Sequence, residues 1–147
     1  MSNMAKMIFV NLPVADVERA AAFYEAVGFT RDPRFSQAGV NAAMRWSDEI
    51  VFMLLGHARF ADFARKPRAD AHAATAALYC LSIDSRDGVD AIVARAQRAG
   101  GVADPLAVQD HGVMYGRSFE DSDGHVFEPM WMDVDAMLAS MPQQAAA

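Results

Sequence analysis

One cysteine, Cys80, is all the chain contains, so no intrachain disulfide can form, and a reducing cytoplasm is the simplest home. Basic charge is also short: 13 Lys and Arg against 19 Asp and Glu give a net charge of −6 and a pI of about 5.0. Phosphate backbones need a positive face that this balance does not supply, so nucleic acid is not an expected partner. Long hydrophobic runs are missing. Ile50 to Leu55 is among the longest, far below the roughly 20 residues that cross a bilayer, and the start lacks a signal-peptide apolar region. No membrane partner is expected either. Nor is there a glycine-rich phosphate loop, a nucleophile elbow or a paired-cysteine zinc spacing.

What is present is apolar. Hydrophobic residues make up 53% of the 147, enough for a packed core in one domain, residues 1–147, or in two small similar modules sharing a core. Ten Met and nine Phe suit either soft core packing or an adaptable pocket.

Residues 1 to 5 carry no pattern and are expected to fray. Lys6 to Pro13 is rich in strand formers and stops at proline. Asp16 can cap a helix in which Val17, Ala20, Ala21, Phe23, Tyr24 and Val27 recur at helical spacing, and Gly28 can end it. Phe29–Phe35, Val40–Trp46 and Ile50–Leu55 read as three strands, completing a βαβββ module over about residues 6–56. About 57–74 forms a basic linker with a short helix, carrying Arg59, Arg65, Lys66 and Arg68. The pattern then restarts over about 75–132. Ala76–Ile83 reads as a strand, and Arg86–Ala99 as a helix capped by Asp84 or Ser85 and closed by Gly100-Gly101. An irregular edge follows around Pro105, then a hairpin of His111–Phe119 and His125–Met132. Asp133–Met141 reads as a terminal helix and 142–147 as a loose tail. The fold class is α+β: two βαβββ modules whose mixed sheets curl into a cup, with the helices outside.

The hairpin carries the strongest functional signal. Asp121-Ser-Asp-Gly124 makes its turn, and its acidic spacing does not fit a 12-residue calcium loop. Beyond it, alternation puts Glu128 on one face with Val126, Met130 and Met132, and His125, Phe127, Pro129 and Trp131 on the other. A carboxylate among apolar side chains must be paired, bound to a cation or protonated.

Leu12-Pro-Val-Ala-Asp-Val-Glu-Arg-Ala-Ala-Ala-Phe-Tyr24 after the first strand, and Phe119-Glu-Asp-Ser-Asp-Gly-His-Val-Phe-Glu128 near the end, resemble the vicinal oxygen chelate superfamily: glyoxalases, bleomycin-resistance proteins and extradiol dioxygenases. The resemblance spans about Met7 to Met132, and Asn11-Leu-Pro-Val14 with Met114–Phe119 is similar to a bacterial branch of uncharacterised glyoxalase-like proteins. It implies a cup with, in the enzymes, a divalent metal at its floor. The four ligand positions it implies fall on Phe9, on or near Met53, on Leu78 and on Glu128. Only Glu128 can hold a hard or borderline cation, so the usual metal site is expected to be absent, and a metal would need unusual partners for Glu128.

Asn11 shares the face of Met7 and Phe9, and its amide could orient a ligand or satisfy backbone. Glu128 could act as general acid or base, or meet solvent or Arg117 instead. Cys80 accompanies Leu78 and reads as packing. Tyr115 and Arg117 share one face of their strand, and which face looks inward is open. Arg117 could hold an anion or simply pair with an acidic neighbour. His111 could stand at the cup rim. His125 reads as structural, and His57 and His72 as exposed.

Two functions follow. One is a metal-independent binder of a small apolar or aromatic molecule, resembling the bleomycin-resistance branch and lined by Phe9, Met53, Leu78 and Cys80 with Asn11 and Glu128 as polar anchors. The other is a lyase- or isomerase-like, or dioxygenase-like, enzyme in which Glu128 is the base or a metal ligand. A cup filled in and kept only for assembly is a third possibility. A homodimer is expected, since open sheets of this kind often close against a twin.

Overall fold

The computed structural model describes residues 5–142. The loose ends expected from the sequence therefore fall, at 1–4 and 143–147, outside the described residues.

Strand β1 (Ile8–Val14) leads into helix α1 (Val17–Val27), then β2 (Thr30–Gln37), β3 (Asn41–Arg45) and β4 (Ile50–Gly56). Asp16 accepts from the Arg19 N–H at 3.0 Å, satisfying one of the orphan donors of the first turn, and Gly28 closes the helix at φ 127°. All six apolar residues at helical spacing are buried. Because β1 lies parallel to β4, α1 serves as the crossover, and the sheet order is β1-β4-β3-β2. This leaves β1 at a free edge.

Helix α2 (His57–Phe63) opens the linker, and β5 (Leu78–Ser82) starts the second module. Helix α3 (Arg86–Arg98) is capped by Ser85, which accepts from Gly88 N–H at 3.0 Å. Next come β6 (Val102–Ala103), β7 (Gln109–Asp110), β8 (Met114–Gly116), β9 (Phe119–Glu120), β10 (Val126–Met132) and helix α4 (Val134–Ser140). Strand β10 is central, with β5 parallel on one side and β8 and β9 antiparallel on the other. The single strand expected over His111–Phe119 is thus split. Arg117 and Ser118 interrupt it, because Ser118 turns its carbonyl and hydroxyl to the N–H groups of Asp104 and Leu106.

The two modules share one aromatic core. Phe29 and Phe52 from the first meet Phe127 from the second, Phe52 also meets Tyr79, and Phe23 meets Phe119; Phe119 and Phe127 stack at 5.2 Å and 5°. Helices α1 and α3 touch each other and back the sheets on this side. The opposite sheet faces carry neither α1 nor α3. That difference creates the open surfaces.

Candidate functional site

Strand pairing builds two hollows on the open faces. In the first module, Phe9 lies beside Val51 and Val51 beside Arg45; the next row runs Asn11, Met53, Ala43, Asp32. Neighbours across a sheet point the same way, so both rows face one hollow of about 550 Å³, which Met7, Arg34, Phe35 and Asp48 complete. Its floor is apolar and buried at Val51 and Ala43, while Phe9 and Phe35 stand 48% and 64% exposed. At the rim, Asp32 is buried and takes two guanidinium hydrogen bonds from Arg34, at 3.0 and 2.7 Å. Those bonds hold its carboxyl below the usual aspartate range, against the opposing effect of burial. Arg45 pairs with Asp48. The Asn11 amide makes no hydrogen bond to another described residue.

The second hollow, about 160 Å³, is lined by Cys80, Met114, Gly116, Arg117, Ser118, Glu128 and Met130, with Leu106, Ala107 and Gln109 at its side. Glu128 sits directly across from Cys80. Partial burial and then the Glu128 carboxylate push the Cys80 thiol upward, which disfavours the thiolate. Glu128 is half-buried and has no hydrogen bond or ion pair among the described residues. Leu78 shares the Cys80 face, 51% exposed at the sheet edge.

The residues singled out in the sequence therefore divide. Phe9, Asn11 and Met53 come together in the larger hollow, and Cys80, Arg117 and Glu128 in the smaller. Tyr115 is paired with Trp131, on the face away from Glu128. Its hydroxyl donates to Asp90 at 2.6 Å, and Arg117 binds Asp104 through two nitrogens and Asp90 through a third. These bonds tie β8 to α3 and the β6 end, and Arg117 also borders the smaller hollow. His111 is exposed against Gln109 and lines neither hollow. His125 is buried and supports the turn. Sequence reasoning missed Arg45 and Asp32. The only signal for Arg45 was alternation in Asn41-Ala-Ala-Met-Arg45, which the paired alanines blur; Asp32 lies in β2, where Pro33 follows it.

The sequence family described as bleomycin resistance protein-like N-terminal matches residues 6–44, from β1 into β3. Solved structures match over nearly the whole chain. A hypothetical protein from S. aureus has a TM-score of 0.72 at 22% identity, covering 88% of this chain and 95% of its own. A glyoxalase/bleomycin resistance protein/dioxygenase family enzyme from Burkholderia phytofirmans PsJN gives 0.69 at 19%, covering 87% and 99%. A glyoxalase-related enzyme from Fulvimarina pelagi gives 0.69 at 17%, covering 87% and 88%. The fold is that of the vicinal oxygen chelate superfamily. A search of curated proteins returns no match.

The divalent metal of the superfamily's enzymes can be tested against these residues. Phe9, Met53 and Leu78 offer no imidazole or carboxylate, and Glu128 lines a different hollow from Phe9 and Met53. Among the described residues no three His, Cys, Asp or Glu side chains gather. This donor set does not fit a hard or borderline cation. Among the described residues no helix is long and apolar enough to cross a membrane.

Proposed function

We propose that the chain binds a small apolar or aromatic molecule in the hollow of its first module. The observation carrying this reading is the 550 Å³ volume over Val51, Met53 and Ala43, walled by the exposed rings of Phe9 and Phe35. A concave apolar floor with a few polar groups at its edge is what small-molecule sites require, and the volume falls within their usual range. A neutral hydrophobic dye such as Nile red should brighten on mixing with the protein. Met53→Glu, which puts a charge in the floor, should remove the signal while circular dichroism stays unchanged. An equal signal from that variant would sink the reading.

The same reading includes a second copy of the chain. Among the described residues the β1 edge is unpaired, Phe9 and Leu78 are about half exposed, and an open apolar face of this kind gains by being covered. Leu78→Asp should then shift the mass in light scattering from dimer to monomer. A monomeric wild-type chain would remove this part alone.

One observation favours a second reading: the Glu128 carboxylate has no partner among the described residues and faces an open hollow. On that reading it moves a proton next to a substrate carbonyl, in lyase- or isomerase-like chemistry. Glu128→Gln would abolish turnover of any substrate found, whereas for a binder it would change affinity at most.

A further inference from the structure

We propose that the ligand of the first-module hollow is an apolar acid whose carboxylate seats on Arg45; this rests on the binding reading above. Two arginines reach the hollow, and their commitments differ. Arg34 gives Nε and Nη2 to Asp32, whose side chain is only 8% exposed. Taking Arg34 away would strand a buried carboxylate, so that fork is not free for a ligand. Arg45 uses one nitrogen, Nη2, on Asp48, three residues along in the β3–β4 turn. Asp48 is 94% exposed and Arg45 35%. An ion pair with so solvated a partner is weak, and Asp48 returns to water at little cost. A ligand carboxylate can take the rest of the fork in the bidentate geometry that suits guanidinium.

Register supplies the rest of the fit. Arg45 stands two strands from Phe9 with Val51 between them, a span of about 10 Å at ordinary strand spacing. An aromatic or short aliphatic body laid over Val51 and Met53 would touch Phe9 at one end and place its acid group on Arg45 at the other. The Asn11 amide, without a hydrogen bond among the described residues, lies on the neighbouring row, at the Phe9 side, where it can take a second polar group.

Three probes with one body and different charge separate the possibilities: 4-phenylbutyrate, 4-phenylbutanol and 4-phenylbutylamine, each titrated calorimetrically into the full chain. The acid should bind about tenfold more tightly than the alcohol, the gain of one charge-assisted pair at a half-exposed site. Arg45→Gln should bring the affinity of the acid down to that of the alcohol measured on the same variant. Arg45→Lys should keep part of the preference, and Asp48→Asn should strengthen the acid a few-fold by removing its competitor. Equal binding of acid and alcohol, tightest binding of the amine at Asp48, or an acid preference that survives Arg45→Gln would overturn the assignment while leaving apolar binding intact. No binding of any probe would overturn both.

Discussion

His125 Nε2 lies 2.9 Å from the carbonyl oxygen of Pro13, joining the last strand to the first across 112 positions of sequence. A carbonyl only accepts, so Nε2 carries the proton and donates. The same turn makes further links: Asp121 Oδ1 accepts from the N–H groups of Asp123 and His125, and Asp123 Oδ1 accepts from Ala15 N–H at 2.8 Å. The acidic turn therefore fastens the second module to the loop that starts α1. His125→Ala removes a donor from a part-buried carbonyl and leaves a gap, and should cost about 1–3 kcal/mol. Urea unfolding would measure it. Unchanged stability with weakened ligand binding would instead make His125 part of a site.

Much of this was legible from local pattern. Asp16, the run of apolar residues to Val27, and Gly28 define α1 without tertiary information. Alternation in β1 and β10 placed Phe9 with Asn11, and Glu128 opposite His125. Orientation of Tyr115 and Arg117 was not legible, because β8 and β9 hold three and two residues and give no run long enough to read a period. Nor was the division of the open surface into two hollows. That depends on how Phe52, Tyr79 and Phe127 set one sheet against the other, which no single segment encodes. Arg45 escaped notice for a similar reason: its importance comes from lying two strands from Phe9.

Tyr24 and Asp121 form the buried polar pair beneath the turn. The Tyr24 hydroxyl donates to Asp121 Oδ2, and no polar side-chain atom there is left unsatisfied among the described residues. Burial raises the Asp121 carboxyl, with His125 and the Tyr24 bond pulling the other way. A raised folded pKa means that the native state holds its proton more tightly than the unfolded chain. The stability tied to it is present at low pH and is lost as pH rises through the folded value. Tyr24→Phe deletes one of the lowering interactions and strands an oxygen, so the variant should be about 1–3 kcal/mol less stable. Its deficit should grow from pH 4 to pH 7. Denaturant melts at both pH values would check this, and a constant deficit would refute it.

Glu18 shows the opposite sign on the surface. Both its oxygens engage Arg31, at 2.8 and 3.0 Å, and Gly39 N–H adds a third bond, tying α1 to β2 and its turn. The Arg31 bond, then the Gly39 N–H, holds the carboxyl at about 2. A depressed folded pKa stabilises the protein above the ordinary glutamate value near 4.5, and that stability disappears as pH falls toward about 2. Glu18→Gln should melt below wild type at pH 6, with the two curves converging by pH 2. Parallel curves throughout would mean that the pair contributes nothing.

Gly101 and Gly39 separate close packing from backbone freedom. A Cβ on Gly101 would stand 2.4 Å from the Glu120 carbonyl and 2.8 Å from the Phe23 ring, where α3 hands over to β6 against β9. Neither neighbour can retreat easily, since Glu120 is held in the β9–β10 ladder and Phe23 is buried in the core. Overpacking of this kind should cost Gly101→Ala about 1–3 kcal/mol, toward the upper end because backbone must move. Gly39 has φ 71° and open space around it, so Gly39→Ala carries only the left-handed penalty of about 1 kcal/mol. Thermal melts of the two variants should therefore rank Gly101→Ala clearly lower. The reverse order would mean that the α3–β6 junction yields, and that the hinge between helix and second sheet is softer than its packing implies.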